Sequence, residues 1–440
     1  MFISTEVNRP VDSIAQRSGE DPTAAADRHL VPLLPHAPIV DPCTACGSWD
    51  VQVLGSVFPG IHIMADRRCN ECGSEHLHDH RVGFAVDHPF SIDKQKKRII
   101  NETPGVGWIH GPLIESFRSP SEKDVKVERI VKRSCKQVII LNTLDFLYGH
   151  VLLKLYNALH YIDRYPQSGL IVIIPKSFEW LVPEGVAEVW SVDQRLGEAH
   201  GWYPAIDRFV QEQLLRYEEV FLGRGYAHPE FAGIDISRFT RVKPFPLEAF
   251  LQQKPHITFV AREDRLWFAT PAAKFNYRAV NKLGMKKSLG RRYVKAQDRL
   301  IASTMNAIRK ELPDVGFSVV GLGERGGLDA AVTDLRTRKM DERTELAWCE
   351  AYARSQIVIG VHGSNMLLPT AHAAGCIEIL PYDRYGNMVQ DISVRYHDRM
   401  QLFMYRFVDE FATPKAIARH AVSMFKDYDV YFRDNKVNIF

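Results

Sequence analysis

Four cysteines, arranged as Cys43-x-x-Cys46 and Cys69-x-x-Cys72 with 22 residues between the pairs, carry the plainest chemical signal in this chain. A glycine follows each pair, Gly47 and Gly73, and allows the tight turn of a thiolate knuckle. Four thiolates suit tetrahedral Zn2+, and a site filled entirely by protein is structural rather than catalytic. The spacing therefore predicts a zinc ribbon. A redox role is the lesser alternative, because the strand–helix context of a thioredoxin-like motif is missing. The adjoining run His76-Leu77-His78-Asp79-His80 reads as a hydrated surface segment that could lend substitute ligands. Cys135, Cys349 and Cys376 read as ordinary buried thiols.

A second signal lies in SQIVIGVHGSNMLLPTAHAAGCIEILP, residues 355–381. An apolar strand ends at His362-Gly363, and Ser364 or Asn365 is placed to cap a following helix. In an open parallel sheet, ligands bind outside the carboxyl ends of the strands, and a helix N-terminus there accepts phosphate. Gly363 would permit close backbone approach, and His362 could donate a hydrogen bond to a diphosphate oxygen or a sugar hydroxyl. One strand later, Glu378 falls where a carboxylate could receive both ribose hydroxyls. The letters H-G-S-N alone fit a plain strand–turn–helix connection; the order of turn, strand and carboxylate is what points to a nucleotide.

These residues need elements to hold them. Residues 1–35 are polar without a periodic apolar face and read as a flexible arm, and 36–82 hold the ribbon-like module. The run DKQKKR at 93–98 reads as a solvated turn. From about 136 strand and helix signals alternate: KQVIIL, the helical FLYGHVLLKLYNALHYIDRY, GLIVIIP, VAEVWSV, a helix near 204–217, then VFLGRG. The proline-bearing 241–255 reads as a connection between units. Alternation then resumes with ITFVAR, a helix over 294–311, FSVVGLG, the helical ELAWCEAYARS, QIVIGVHG and CIEILP. The expected class is α/β, with two Rossmann-like, doubly wound units over 83–245 and 246–440 facing a cleft.

The bulk numbers agree with this partition. At 440 residues the chain is too long for one core, and its 45% hydrophobic and 25% charged residues are globular values. A formal net charge of +3 gives no reason to expect a nucleic-acid footprint over the whole chain. The N-terminus lacks a secretion signal's basic and apolar regions, and no stretch has the roughly 18 apolar residues of a membrane span. The chain reads as cytoplasmic, with room for peripheral contact at the inner membrane face through a basic patch.

The 355–381 stretch resembles the C-terminal signature of family 61 glycosyltransferases, a GT-B group with a strand, H-G-A-G-L or similar, an apolar helix, then a strand bearing Glu. Gly360, His362, Gly363 and Glu378 match it. ITFVAREDRLW resembles that family's first C-domain strand, which would turn Arg262 toward the donor phosphates. LYGHVLLKLYNAL resembles its N-domain helix, with His150 in the matching place. The resemblance spans roughly 135–400 and departs from the pattern at Ser364-Asn365, where the family usually has Ala-Gly. It implies a GT-B glycosyltransferase moving sugar from a nucleotide-diphosphate donor, a UDP-sugar favoured, to a hydroxyl of a glycan, glycolipid or protein. Inversion without a catalytic metal is implied too. Leaving-group charge would fall to the 363–366 turn, His362 and Arg262, helped by Arg291 or Arg292. His150 is the first choice of general base and Asp145 the second. Rival readings are a non-catalytic zinc-ribbon scaffold of transferase-like shape, and a GT-B-shaped epimerase.

Overall fold

The computed structural model describes residues 29–35, 37, 39, 41–84, 86–120, 125–226 and 231–434, the side chains of 286–288 apart. The polar arm expected over 1–35 lies outside the described residues as far as 28. Its end differs from that reading: β1 (Leu30–Leu34) is an edge strand, with Val31 and Leu33 facing inward. An apolar alternation as short as this escapes a search for longer faces.

The cysteine pairs open a five-stranded antiparallel sheet: β2 (Val51–Val57), β3 (Met64–Cys69), β4 (Glu75–Asp79), β5 (Ser91–Asp93) and β6 (Arg98–Ile100). The run 93–98 makes the β5–β6 turn, where Asp93 Oδ1 accepts from the Gln95 and Lys96 amides. The 76–80 run is not a hydrated surface. β4 lies between β3 and β5, and His76, His78, Asp79 and His80 are all buried. Part of the burial is satisfied locally, since His78 holds Asp41 and Ser91 and His80 holds Ser56, while neither ring nitrogen of His76 finds a partner among the described residues.

The first parallel unit contains β7 (Val127–Val131), β8 (Gln137–Asn142), β9 (Gly169–Pro175), β10 (Glu188–Val192) and β11 (Glu219–Gly223), in the order β1-β11-β8-β9-β10-β7. Its four middle strands are parallel, and β1 and β7 pair antiparallel at the edges. The two-residue period of a strand explains the layering. Ile139 and Leu141 of β8 join a core shared with the second unit; Val138 and Ile140 join a core under the small sheet. The small sheet thus covers a face that a doubly wound unit normally gives to helices, sharing it with the helix Pro204–Leu214. Asn142 Nδ2 donates to the Gly60 carbonyl at 2.8 Å, and Asp207 accepts the Phe58 amide at 2.9 Å, stitching the layers together.

The second unit is wholly parallel: β12 (His256–Val260), β13 (Gly316–Val320), β14 (Thr333–Asp334), β15 (Ile357–Val361), β16 (Gly375–Leu380) and β17 (Tyr405–Asp409). Its order, β14-β13-β12-β15-β16-β17, is the 3-2-1-4-5-6 winding of a Rossmann sheet. The expected α/β architecture of two Rossmann-like units is the one the chain adopts. The helix expected over 294–311 begins at Lys286, and the helix expected from 146 breaks at Asn157, whose amide donates to the Leu153, Lys154 and Gly225 carbonyls. The 241–255 connection is packed in place, with Phe245 buried and its amide donating to His372 O.

Candidate functional site

In the second sheet the winding reverses between β12 and β15, and a crevice opens there at the carboxyl ends. Arg262 follows β12, and His362-Gly363 follow β15. Gly363 has φ +149°, and a Cβ there would stand 2.6 Å from Arg262 Nη1 and 2.9 Å from Arg265 Nη1. That φ favours glycine, and the missing side chain lets the tips of two guanidinium groups lie close over the turn. Arg265 Nη1 donates to the His362 carbonyl at 2.8 Å. Arg262 donates to Asn365 Oδ1 and, through Nε at 2.9 Å, to Asp264. Burial, Arg262 and Arg384 together hold the Arg265 pKa below its ordinary value. Arg265 and Arg384 carry no local signal in the sequence: Arg265 follows Arg262 on one loop, and Arg384, about 120 residues on, becomes their neighbour only through the winding.

The expected side-chain cap is not formed. Ser364–Met366 is a 3-10 turn without a side-chain cap bond, leading into the six-residue helix Leu367–His372. Asn365 is instead drawn to Arg262, and Ser364 packs against the first unit. Glu378 is also placed differently from the ribose contact expected of it. The β15–β16 register sets Glu378 opposite Gly360, and its Oε2 sits 2.5 Å from His362 Nδ1, both side chains fully buried. Burial pushes the Glu378 carboxyl up to about 7, against the opposing pull of His362. His362 Nε2 lies 3.7 Å from Asp391 Oδ2. The His362–Glu378 pair thus braces the turn from beneath, and the groups nearest the crevice are Arg262, Arg265 and the 363–365 backbone.

In the first unit β8 leads through Asn142 to Asp145, whose Oδ1 accepts the Leu147 amide at 3.1 Å and starts the helix Tyr148–Tyr156. Asp145 is fully buried, with Lys154 Nζ 2.8 Å from Oδ2. Lys154 is itself fully buried and donates to the Leu144 carbonyl at 2.7 Å. Burial alone would raise the Asp145 carboxyl; the Lys154 charge and His150 outweigh it and bring it down to about 2. His150 Nδ1 lies 3.5 Å from Asp145 Oδ1, and the His150 side chain keeps 21% of its surface exposed. Lys154 showed in the sequence only as a charge interrupting an apolar helix, which is itself the available signal of a buried partner.

The two groups meet. A Cβ at Gly149 would fall 2.3 Å from Ser364 Cβ, so the helix carrying His150 rests directly on the 363–366 turn. Asp391, whose carboxyl is raised by burial, feels both His362 and His150. Beside this contact lies a cavity of about 270 Å3 lined from both units, by Tyr148 and Leu196 on one side and Arg262, Ser364 and Asn365 on the other. Glu345 closes it by accepting from Tyr148 Oη at 3.1 Å and Trp180 Nε1 at 2.8 Å. Arg291 and Arg292, expected to assist here, line a separate groove of about 1,030 Å3 in the second unit, where Arg291 pairs with Glu324 at 3.1 Å.

At the ribbon, the sulfur atoms of Cys43, Cys46, Cys69 and Cys72 all lie within 4.8 Å of one another. Cys43–Cys72 is 3.8 Å and Cys46–Cys69 3.6 Å, close to the edge of about 3.8 Å of a tetrahedron with metal–sulfur bonds of about 2.3 Å. Gly47 (φ +80°) and Gly73 (φ +67°) turn matching knuckles, each amide donating to the first cysteine's carbonyl. The four thiols fit a structural metal ion. Buried Arg67 adds compensating charge, since Asp41, Cys43 and Cys69 oppose the lowering of its pKa by burial. Cys69→Ser is expected to cut bound metal well below one ion per chain and lower the melting temperature by several degrees, because its ligand set anchors β3. Metal analysis with thermal unfolding, with and without chelator, checks this; unchanged values would remove the metal.

Among the described residues, no helix is long and apolar enough to cross a membrane. No family model matches the sequence, and no curated protein does. Among solved structures, the chain is similar to a family 9 glycosyl transferase of Veillonella parvula, at 9% identity over 70% of this chain and 92% of that one, TM-score 0.34. It is similar to the ADP-heptose LPS heptosyltransferase II of E. coli, at 11% identity over 67% and 99%, TM-score 0.32. The S. aureus MnaA–UDP co-structure matches at 10% identity over 69% of each chain, TM-score 0.28. Likenesses this faint bear on neither substrate nor mechanism.

Proposed function

We propose that this chain is a glycosyltransferase that moves a sugar from a nucleoside-diphosphate donor, a UDP-sugar first among candidates, to a hydroxyl acceptor on a glycan, glycolipid or protein. One observation carries the reading: paired guanidiniums over a glycine turn at the Rossmann switch point, with the helix that bears His150 packed through Gly149 against that turn from the opposite unit. Arg262, Arg265 and the 363–365 backbone meet the charge that builds on the departing diphosphate. His150, its Nδ1 turned toward Asp145, takes the acceptor's proton at Nε2 as the acceptor oxygen bonds to the anomeric carbon and the carbon–phosphate-oxygen bond breaks. Single displacement of this kind inverts the anomeric centre. Asp145, buried and neutralised by Lys154, serves as the orienter rather than the base. The thiolate site takes zinc, which ties the 43–46 knuckle to the end of β3 and braces the small sheet.

A thermal-shift panel of UDP, GDP, CMP and their sugar conjugates tests the donor site. One nucleotide should stabilise the fold, by about 2.7 kcal/mol at a hundredfold excess over Kd. The shift should vanish in Arg262→Ala/Arg265→Ala while the unliganded melting temperature changes little. No shift from any nucleotide would sink the reading and favour a non-catalytic scaffold.

A further inference from the structure

From Arg265 to Gln297 the sequence contains no Asp or Glu, while Lys and Arg recur throughout. This stretch folds as the helix Pro271–Lys282, a turn at Gly284 (φ +71°), and the start of the helix Lys286–Arg309. Tyr277 is buried and fixes the hairpin, its ring 5.3 Å from Phe268 and 5.1 Å from Tyr293. The opposite stripe of the first helix runs Phe275, Arg278, Lys282 at helical spacings of three and four, and all three are exposed. At its end the turn presents two more apolar side chains: Phe275 and Leu283 are each 72% exposed and Met285 43%. Lys274 pairs with Glu410 and Arg291 with Glu324, but among the described residues Arg278, Lys282, Arg292 and Lys295 have no carboxylate within ion-pair distance, so their charge is uncompensated.

Exposed aromatic and aliphatic groups set among long cationic side chains are costly in water and suited to one environment, the boundary of an anionic bilayer. There the apolar groups enter the acyl margin while the ammonium and guanidinium ends meet lipid phosphates. A nucleic acid would use the charge but leave Phe275, Leu283 and Met285 in water. We propose that the 271–285 hairpin docks this protein on an anionic membrane surface. The inference does not rest on the proposed sugar transfer, and would stand if the crevice bound nothing.

The test is flotation of the full chain with vesicles of phosphatidylcholine alone and of phosphatidylcholine with phosphatidylglycerol. Binding is expected to the anionic vesicles only, and to weaken as salt screens it. Arg278→Gln/Lys282→Gln should weaken it roughly 25-fold, about fivefold for each basic residue near the surface. Phe275→Ser/Leu283→Ser should weaken it with the salt dependence retained. Both pairs are exposed, and an unchanged melting temperature confirms that each variant is folded. Absence of binding to anionic vesicles, equal binding to neutral ones, or binding unaffected by both variants would overturn the proposal. So would loss of binding to a single-stranded oligonucleotide in these variants with no vesicle binding by the parent chain, which would make the surface a nucleic-acid site.

Discussion

His150→Ala is expected to lower kcat by about 10²–10⁴ while leaving nucleotide affinity within a few-fold of the parent value. The reason is positional. On the proposed reading the donor's charge is met by Arg262 and Arg265, whereas His150, on the helix whose Gly149 meets the turn, keeps part of its surface exposed. A base contributes in the transition state and little to the ground-state complex, so removing it separates turnover from binding. Asp145→Asn should fall in the same direction by a smaller factor, because the amide still reaches His150 but loses its charge. Steady-state kinetics beside nucleotide titration checks the split. Equal losses in kcat and in affinity would demote His150 to a positioning residue.

Strands that line the site were legible because burial on both faces makes them near-continuous apolar runs. β8, β9, β12, β15 and β16 have that texture, and the cores on either side of each sheet account for it. The candidate residues at their ends, Asp145 and His150 after β8, Arg262 after β12, His362 and Gly363 after β15, come together for the same reason: parallel strands deliver their following loops to one edge. What could not be read was direction and partnership. Glu378 lies on the expected strand, but a period of two leaves open which face it takes, and the sheet turns it onto His362. The HLHDH run looked polar because no single strand reveals that a neighbouring sheet will cover it. Arg265, Arg384 and Lys154 are charges whose meaning is set by partners far along the chain or by burial, and neither is printed in local spacing.

Lys154→Met is expected to destabilise the fold by about 3–5 kcal/mol at neutral pH, the largest stability effect of any single substitution considered. Methionine fills nearly the same volume, so packing loss is small; the cost is a carboxylate left buried without its cation. The pH dependence gives the sign. In the parent chain the Asp145 carboxyl is held down at about 2, below its ordinary value. Its contribution is therefore present above the unfolded pKa and lost as pH falls through about 2. Without Lys154, burial acts with only His150 to oppose it, and the carboxyl titrates above its ordinary value instead. The variant's native state then holds a proton that its unfolded state has released, so its deficit relative to the parent shrinks as pH is lowered from 7 toward 4. Urea unfolding at both pH values measures this directly. Asp145→Asn/Lys154→Met should recover much of the loss at pH 7, because it removes the stranded charge along with its partner. If the single variant were as stable as the parent at neutral pH, water would have to reach Asp145, and the carboxylate would be free to compete with His150 for the acceptor's proton. The same unfolding measurement therefore tests the premise on which Asp145 orients His150, namely that Lys154 keeps it charged and buried.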